Sequence, residues 1–331
     1  MSMTLSEFIA EWDSDSPTML VHTSGSTGKP KPMYVEKRRM AASARITCGF
    51  LGLRNGDTAL LCMPLDYIAG KMVVVRSIVC GLRLVAVEPS GHPLRGLSES
   101  PVFAAMVPMQ VYNSLQVEHE RQLLRGIRHL IIGGGAVDAG MAAQLHDFPN
   151  AVWSTYGMTE TLSHIALRRL NGKDASEWYT PFDSVDVRLN AEGCLVIDAP
   201  EVCAKPLVTN DIAEIASDGR RFRIRGRRDN VVCSGGIKLQ IEEMEARLTP
   251  FMNCPFMITK RRDRKFGETV VMLAVTEDMC RVRECCAKHL SKYEQPHVYI
   301  SVSELPVTGT GKPARAEAMK IAEFHQEHDG R

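Results

Sequence analysis

Nine consecutive residues near the N-terminus are of the types that hold a phosphate: Thr23, Ser24, Gly25, Ser26, Thr27, Gly28, Lys29, Pro30 and Lys31. Glycines let a backbone approach an anion closely, and hydroxyls and N–H groups surround it with donors. Lys29 adds a charge. The loop follows a short apolar stretch that reads as a strand. It is not a Walker A loop, because Pro30 stands where that motif needs a Mg²⁺-binding Ser or Thr. No glycine lies five residues before Gly28 either. Metal chemistry on cysteine is not indicated. The 10 cysteines form no Cys-x-x-Cys pair, and no Cys/His spacing fits a zinc site. They read as free thiols in a reducing cytosol, and vicinal Cys285 and Cys286 as idle thiols on a helix.

The elements that must position such a loop are legible in the hydropathy pattern. Residues 18–22, 58–63, 82–87, 102–107, 129–132 and 151–155 read as strands. Residues 37–48, 69–80, 108–116 and 138–147 read as helices between them, with Asp138 as an N-cap. That alternation predicts a mostly parallel α/β sheet. Beyond Thr161 the pattern changes to short strands at 165–170, 185–189, 194–197, 212–216 and 221–225, a β-meander. A charged junction, Gly226 to Asn230, precedes about a hundred residues of mixed α+β. There a helix from Ile241, strands at 255–259 and 269–275, a helix at 279–290, a strand at 297–301 and a polar helical tail from Pro313 are expected.

The fold class is therefore α/β. A large N-terminal α/β domain carries a small β-subdomain and is followed by a small, mobile α+β C-terminal domain. The boundary falls at 1–226 and 227–331, with a hinge near Asp229. A length of 331 residues suits two domains. Lys plus Arg number 40 and Asp plus Glu 39, so the net charge is +1. Bulk electrostatics thus gives no reason to expect nucleic acid or an anionic membrane. No apolar run is long enough to span a bilayer. Glu7, Glu11, Asp13 and Asp15 oppose a signal peptide, which leaves a cytoplasmic enzyme as the expectation.

The phosphate loop resembles that of the adenylate-forming superfamily of acyl- and aryl-CoA ligases, luciferases and amino-acid adenylation domains. Further motifs of that superfamily follow in order. Gly133, Gly134, Gly135 and Ala136 resemble its adenine-side glycine strand end. Ser154, Thr155, Tyr156, Gly157, Met158, Thr159 and Glu160 match its Tyr-Gly-x-Thr-Glu motif. Thr209, Asn210 and Asp211 stand at its Thr-Gly-Asp. The run from Gly226 to Asn230, then Ser234, Gly235, Gly236, Ile237 and Lys238, resembles its hinge. Leu305 to Lys312 resembles its catalytic-lysine motif. Family members carry a further N-terminal part before the phosphate loop, where this chain has 22 residues, so the resemblance implies a shortened N-terminal domain.

The resemblance implies the following roles. Tyr156 offers a face to adenine, and Gly157 lets the acyl group pass close to the backbone. Thr159 donates to the α-phosphate, and Glu160 is a hard oxygen ligand for Mg²⁺. Asp211 and Arg227 hold the ribose. Lys312 neutralises the carboxylate and α-phosphate as they meet. Asp229 is the hinge, and Gly235, Gly236 and Lys238 border the thiol channel in the second step. The required co-substrates and cofactor are ATP, coenzyme A and Mg²⁺.

Departures are mild: Asn210 for Gly, Asn230 for the second hinge Asp and Thr310 for Ser. Tyr67 replaces the His of the substrate motif at 64–70, and Asp66 falls one place too early to hold an amino-acid amine. The short chain and its Thr159-Glu160-Thr161-x-Ser163-x-Ile165 run most resemble the 2-succinylbenzoate–CoA ligases of menaquinone biosynthesis. Such an acid has a second, spectator carboxylate that needs a cation. Lys71 is the candidate for it, with Tyr67, Gly157 and Ser163 lining the acid site. Two alternatives stay open. One is adenylation of another aryl or acyl acid, with CoA or a carrier thiol as acceptor. The other is a non-catalytic nucleotide-binding remnant.

Overall fold

The computed structural model describes residues 3–22, 32–137, 139–308 and 313–329. The phosphate-loop residues 23–31, Asp138 and the 309–312 segment with Lys312 therefore lie outside the described residues. Helix α1 (Leu5–Asp13) opens with a capping box in which Thr4 and Glu7 satisfy each other's backbone N–H groups. Strands β1 (Thr18–His22) and β2 (Pro32–Glu36) pair antiparallel on either side of the phosphate loop. Periodicity does not reveal α1 or β2, because each is short and half polar.

Helix α2 (Lys37–Leu51), β3 (Thr58–Leu61), α3 (Ile68–Cys80), β4 (Arg83–Ala86) and β5 (Phe103–Met106) follow. After them come α4 (Pro108–Gln116), α5 (Glu118–Gly126), β6 (His129–Ile132), α6 (Ala139–Leu145), β7 (Ala151–Gly157), β8 (His164–Arg169) and β9 (Thr180–Pro181). They build a seven-stranded sheet of order β4-β3-β5-β6-β7-β8-β9, parallel from β4 to β7. Every residue of β3 and β5 is buried, as a strand covered on both faces requires. Helices α2 and α3 each stop at a left-handed glycine, Gly52 and Gly81.

The strand expected at 165–170 does not join the meander. It is β8, paired antiparallel with β7 in the large sheet. The chain reverses within six residues after Gly157, and residues 164–167 are buried, so they belong to a central sheet rather than a solvated one. The meander itself is β10 (Asp186–Leu189), β11 (Cys194–Asp198), β12 (Leu207–Ile215) and β13 (Phe222–Arg227). One continuous apolar core runs from Phe8 to Phe222.

The remainder is built on β14 (Val231–Ser234), β15 (Ile237–Gln240), α7 (Ile241–Leu248), β16 (Phe256–Asp263), β17 (Gly267–Ala274), α8 (Met279–His289), β18 (Val298–Ser301) and α9 (Arg315–Asp329). Its five strands bury separate clusters on their two faces. Val232, Met244, Ile258 and Cys286 are in one, and Val271, Leu273, Ala318 and Ala322 in the other. Among the described residues no helix is long and apolar enough to cross a membrane.

Candidate active site

Open parallel sheets bind ligands beyond the carboxyl ends of their strands. The sequence motifs gather there. Gly133 follows β6, with its N–H donating to the Met106 carbonyl at 3.0 Å. A Cβ on Gly133 would sit 2.6 Å from Thr155 Oγ1, and Gly134 adopts a φ of 82°. Gly135 and Ala136 continue this exposed turn. Ser154, buried in β7, exchanges a hydrogen bond with the Tyr179 hydroxyl at 3.0 Å.

Gly157 is required for a reason beyond ligand access. A Cβ there would collide with the Ser163 carbonyl oxygen and lie 2.5 Å from His164 Cα. Strand β8 can therefore return against β7 only over a glycine. Between them Thr159–Thr161 forms a 3₁₀ turn with Thr159 buried and Glu160 exposed. Leu162, at φ 64° and ψ −38°, then makes a three-residue turn in which Ser163 N–H donates to the Thr161 carbonyl at 2.7 Å. This rare positive-φ γ-turn is strained for a non-glycine residue. The Thr161 hydroxyl braces it by donating to the Ser163 carbonyl at 2.7 Å.

Tyr156 packs its ring edge-on to Phe222, centroids 5.1 Å apart, and beside Tyr179. Its hydroxyl donates to Asp211 Oδ2 at 2.6 Å. Burial, with the Asp211 charge adding to it, pushes the phenol well above its ordinary pKa. Arg227 lies opposite Asp211 in the β12–β13 register, Nη1 to Oδ1 being 3.6 Å. These three residues thus form one cluster at the meander's edge.

Asp229 sits in the 3₁₀ turn Arg228–Asn230 and accepts from Arg227 and Asn210, both at 3.3 Å. Gly235 and Gly236, at φ 57° and 85°, are the two-residue turn of the β14–β15 hairpin. Lys238 is exposed beyond them, across from Cys233.

For the acid, Tyr67 precedes α3 and bridges His22, the residue before the phosphate loop. Lys71 is not brought to Ser163. It is buried, with Nζ 3.1 Å from Met3 Sδ and 5.4 Å from the centre of the Phe8 ring. Burial lowers its pKa.

The cation at Ser163 is Arg76, which sequence reading passed over. It is 2% exposed and stacks at 6.0 Å over Phe103. Nη2 donates to Ser163 Oγ at 2.6 Å and to Thr47 Oγ1 at 3.4 Å. Nε has no hydrogen-bond partner, and among the described residues no carboxylate pairs with this guanidinium. Burial pushes its pKa down to about 10. A charge inside the apolar run 72–79 was the available signal, since an isolated buried charge normally has a partner.

For the metal, the described residues contain no group of three His, Cys, Asp or Glu able to cage an ion. The single exposed Glu160 fits Mg²⁺, which takes one or two carboxylates and completes its shell with phosphates and water.

Comparison with known proteins agrees with this architecture. The chain is 24% identical over 336 residues to the 2-succinylbenzoate–CoA ligase of Bacillus pumilus (strain SAFR-032), covering 92% of this chain and 69% of that one. An acyl-CoA synthetase (AMP-forming)/AMP-acid ligase II-like protein from Dyadobacter fermentans is 32% identical, with a TM-score of 0.65 over 94% of this chain and 92% of that one. That protein is thus of comparable length. The o-succinylbenzoate CoA synthetase (MenE) of Bacillus subtilis, in complex with the acyl-adenylate intermediate OSB-AMP, shares the fold. Its TM-score is 0.76 at 21% identity, over 90% of this chain and 68% of that one. A profile of the AMP-binding enzyme family matches residues 5–201, from α1 through the strand ends that carry the glycine and Tyr-Gly-x-Thr-Glu motifs and into the meander, and so the chain belongs to the AMP-binding enzyme family.

Proposed function

We propose that this enzyme is an ATP-dependent acid–CoA ligase acting on 2-succinylbenzoate. The carrying observation is Arg76. A cation held in the interior without a carboxylate partner is costly to maintain, and a ligand carboxylate would offset that cost. Ser163, half-buried, touches it directly, so an acid seated on Ser163 lies one hydrogen bond from the guanidinium. A dicarboxylic acid supplies one group to react and one to fill this place. The naming of several relatives as 2-succinylbenzoate–CoA ligases supports the same substrate.

In this reading the reacting carboxylate attacks the α-phosphorus of ATP and pyrophosphate leaves. The CoA thiol then attacks the acyl carbonyl and AMP leaves. Asp211 and Arg227 hold the ribose, Tyr156 lies along the adenine, and the loop from Thr23 to Lys29 takes the phosphates. Mg²⁺, held by Glu160, neutralises phosphate charge when bound. Lys312 serves the first step.

Residues 1–226 and 227–331 act as two domains that rotate about Asp229 between the steps, bringing Gly235, Gly236 and Lys238 to the thiol. The polar junction suits such motion. It is held by exposed contacts such as Arg225 to Glu243 at 3.3 Å, each worth only about 0.2–1 kcal/mol. Incubating the protein with 2-succinylbenzoate, ATP, Mg²⁺ and CoA should yield AMP and the acyl-CoA thioester by mass spectrometry. AMP formation without thioester would move the acceptor to a carrier thiol. Neither product would reject the ligase reading.

A further inference from the structure

Behind Ser163 lies a hydrogen-bond chain through Thr47, His164 and Arg76. Thr47 Oγ1 is 3.1 Å from the Ser43 carbonyl, which can only accept, and one arrangement of the chain places the single Thr47 hydrogen on Ser43. With the Thr47 hydrogen on Ser43, His164 Nε2, 3.1 Å from the same Thr47 oxygen, is the donor. The ring is buried and faces Arg76, and both conditions favour its neutral form, in which an Nε2–H leaves Nδ1 without a hydrogen. Ser163 Oγ, 3.2 Å from Nδ1, therefore donates to it. That leaves the Ser163 oxygen as a pure acceptor toward Arg76 Nη2 at 2.6 Å. Phe182, 5.6 Å away between ring centres, closes the other side of the imidazole.

We propose that His164 is a positioning residue of the acid site: as the Nε2–H tautomer, it takes the Ser163 hydrogen and so fixes the Ser163 oxygen as an acceptor that anchors Arg76. With Nη2 tethered to Ser163 and Thr47, the guanidinium is held in one orientation at the Ser163 side of the site. Without the imidazole acceptor, the Ser163 hydroxyl is free to rotate and donate to the carboxylate itself, and the arginine loses its anchor. This rests on the reading that Arg76 receives the spectator carboxylate. It adds that the site's selectivity depends on a residue that touches neither substrate nor nucleotide.

The test compares His164→Phe, which keeps ring size but loses both nitrogens, with His164→Asn, whose Oδ1 falls near the place of Nδ1 and restores the acceptor. In the phenylalanine variant the KM for 2-succinylbenzoate should rise about tenfold, the loss of about one oriented hydrogen bond. Both kcat and the KM for ATP should stay within about twofold, and benzoate kinetics should not change. The asparagine variant should recover most of the loss. ¹⁵N NMR of the unaltered protein should show His164 protonated on Nε2 alone. Equal impairment of the two variants, an unmoved KM in the phenylalanine variant, or a proton on Nδ1 would overturn the proposal. If the phenylalanine variant does not fold, the asparagine variant and the tautomer still decide it. Arg76→Met separates the two claims. If it leaves the KM for the dianion unchanged, the acid-site reading itself fails. If it raises that KM while His164→Phe does not, only the role of His164 fails.

Discussion

Replacing Arg76 by Met should leave the protein about as stable as before while removing its response to the dianionic acid. The substitution keeps an unbranched apolar stem against Phe103 and removes a charge from a fully buried position. Burial takes the guanidinium from an ordinary value near 12.5 to about 10, a differential of about 3 kcal/mol against the charged form at about 1.36 kcal/mol per pKa unit. Opposing this, the variant loses one charge-assisted hydrogen bond to Ser163, worth about 1.5–3 kcal/mol, and a long one to Thr47. The two effects nearly cancel, so a net change within about 1 kcal/mol is expected. Urea unfolding followed by tryptophan fluorescence suits the measurement, because Trp12 and Trp153 pack against the large apolar core. In the unaltered protein, 2-succinylbenzoate at a hundred times its Kd should add about 2.7 kcal/mol, and in the variant at the same concentration much less. A loss of 3–5 kcal/mol without ligand is what breaking a buried ion pair costs. That result would refute the reasoning by showing that the charge already has a protein partner.

Three other outcomes are expected. Gly157→Ala forces Cβ into the backbone of Ser163 and His164, so it should abolish adenylation and cost more than about 2 kcal/mol in urea unfolding, whereas Gly49→Ala, with open space around it, should do neither. Burial and the neighbouring arginine hold the His164 imidazole well below its ordinary value, so below about pH 6.5 the unfolded chain binds a proton that the folded chain refuses. Stability present above pH 6.5 is then lost as the pH falls, and between pH 6.5 and 5.5 the unaltered protein should lose about 1 kcal/mol more than His164→Asn. Lys312→Ala should abolish pyrophosphate release while sparing thioester formation from supplied acyl-adenylate; equal loss of both half-reactions would remove Lys312 from its first-step role.

The parallel sheet was legible because β3, β5 and β6 are buried apolar runs, and because helices α2 and α3 end at glycine. Helix α5 escaped notice because its apolar residues are few and its charges many, and the β14–β15 hairpin because each of its strands buries a single residue. The strand at 164–169 was visible, but its sheet was not, since that depends on a γ-turn at Leu162 that no residue type announces. The motifs proposed for the nucleotide are contiguous in sequence and could be read locally. The cluster proposed for the acid could not, because Thr47, Arg76 and the Ser163-His164 pair come from three separate segments that meet only after folding. Lys71 and Arg76 lie on one helix five residues apart, about 140° around its axis, so only packing decides which of them faces Ser163.

The most direct test of the account is the ratio of kcat/KM for pyrophosphate release with 2-succinylbenzoate to that with benzoate, measured on the unaltered protein. A spectator carboxylate meeting Arg76 gains a charge-assisted hydrogen bond of about 1.5–3 kcal/mol, which predicts a preference of about ten- to a hundredfold. A ratio near one would contradict the substrate assignment and leave Arg76 without the partner proposed for it.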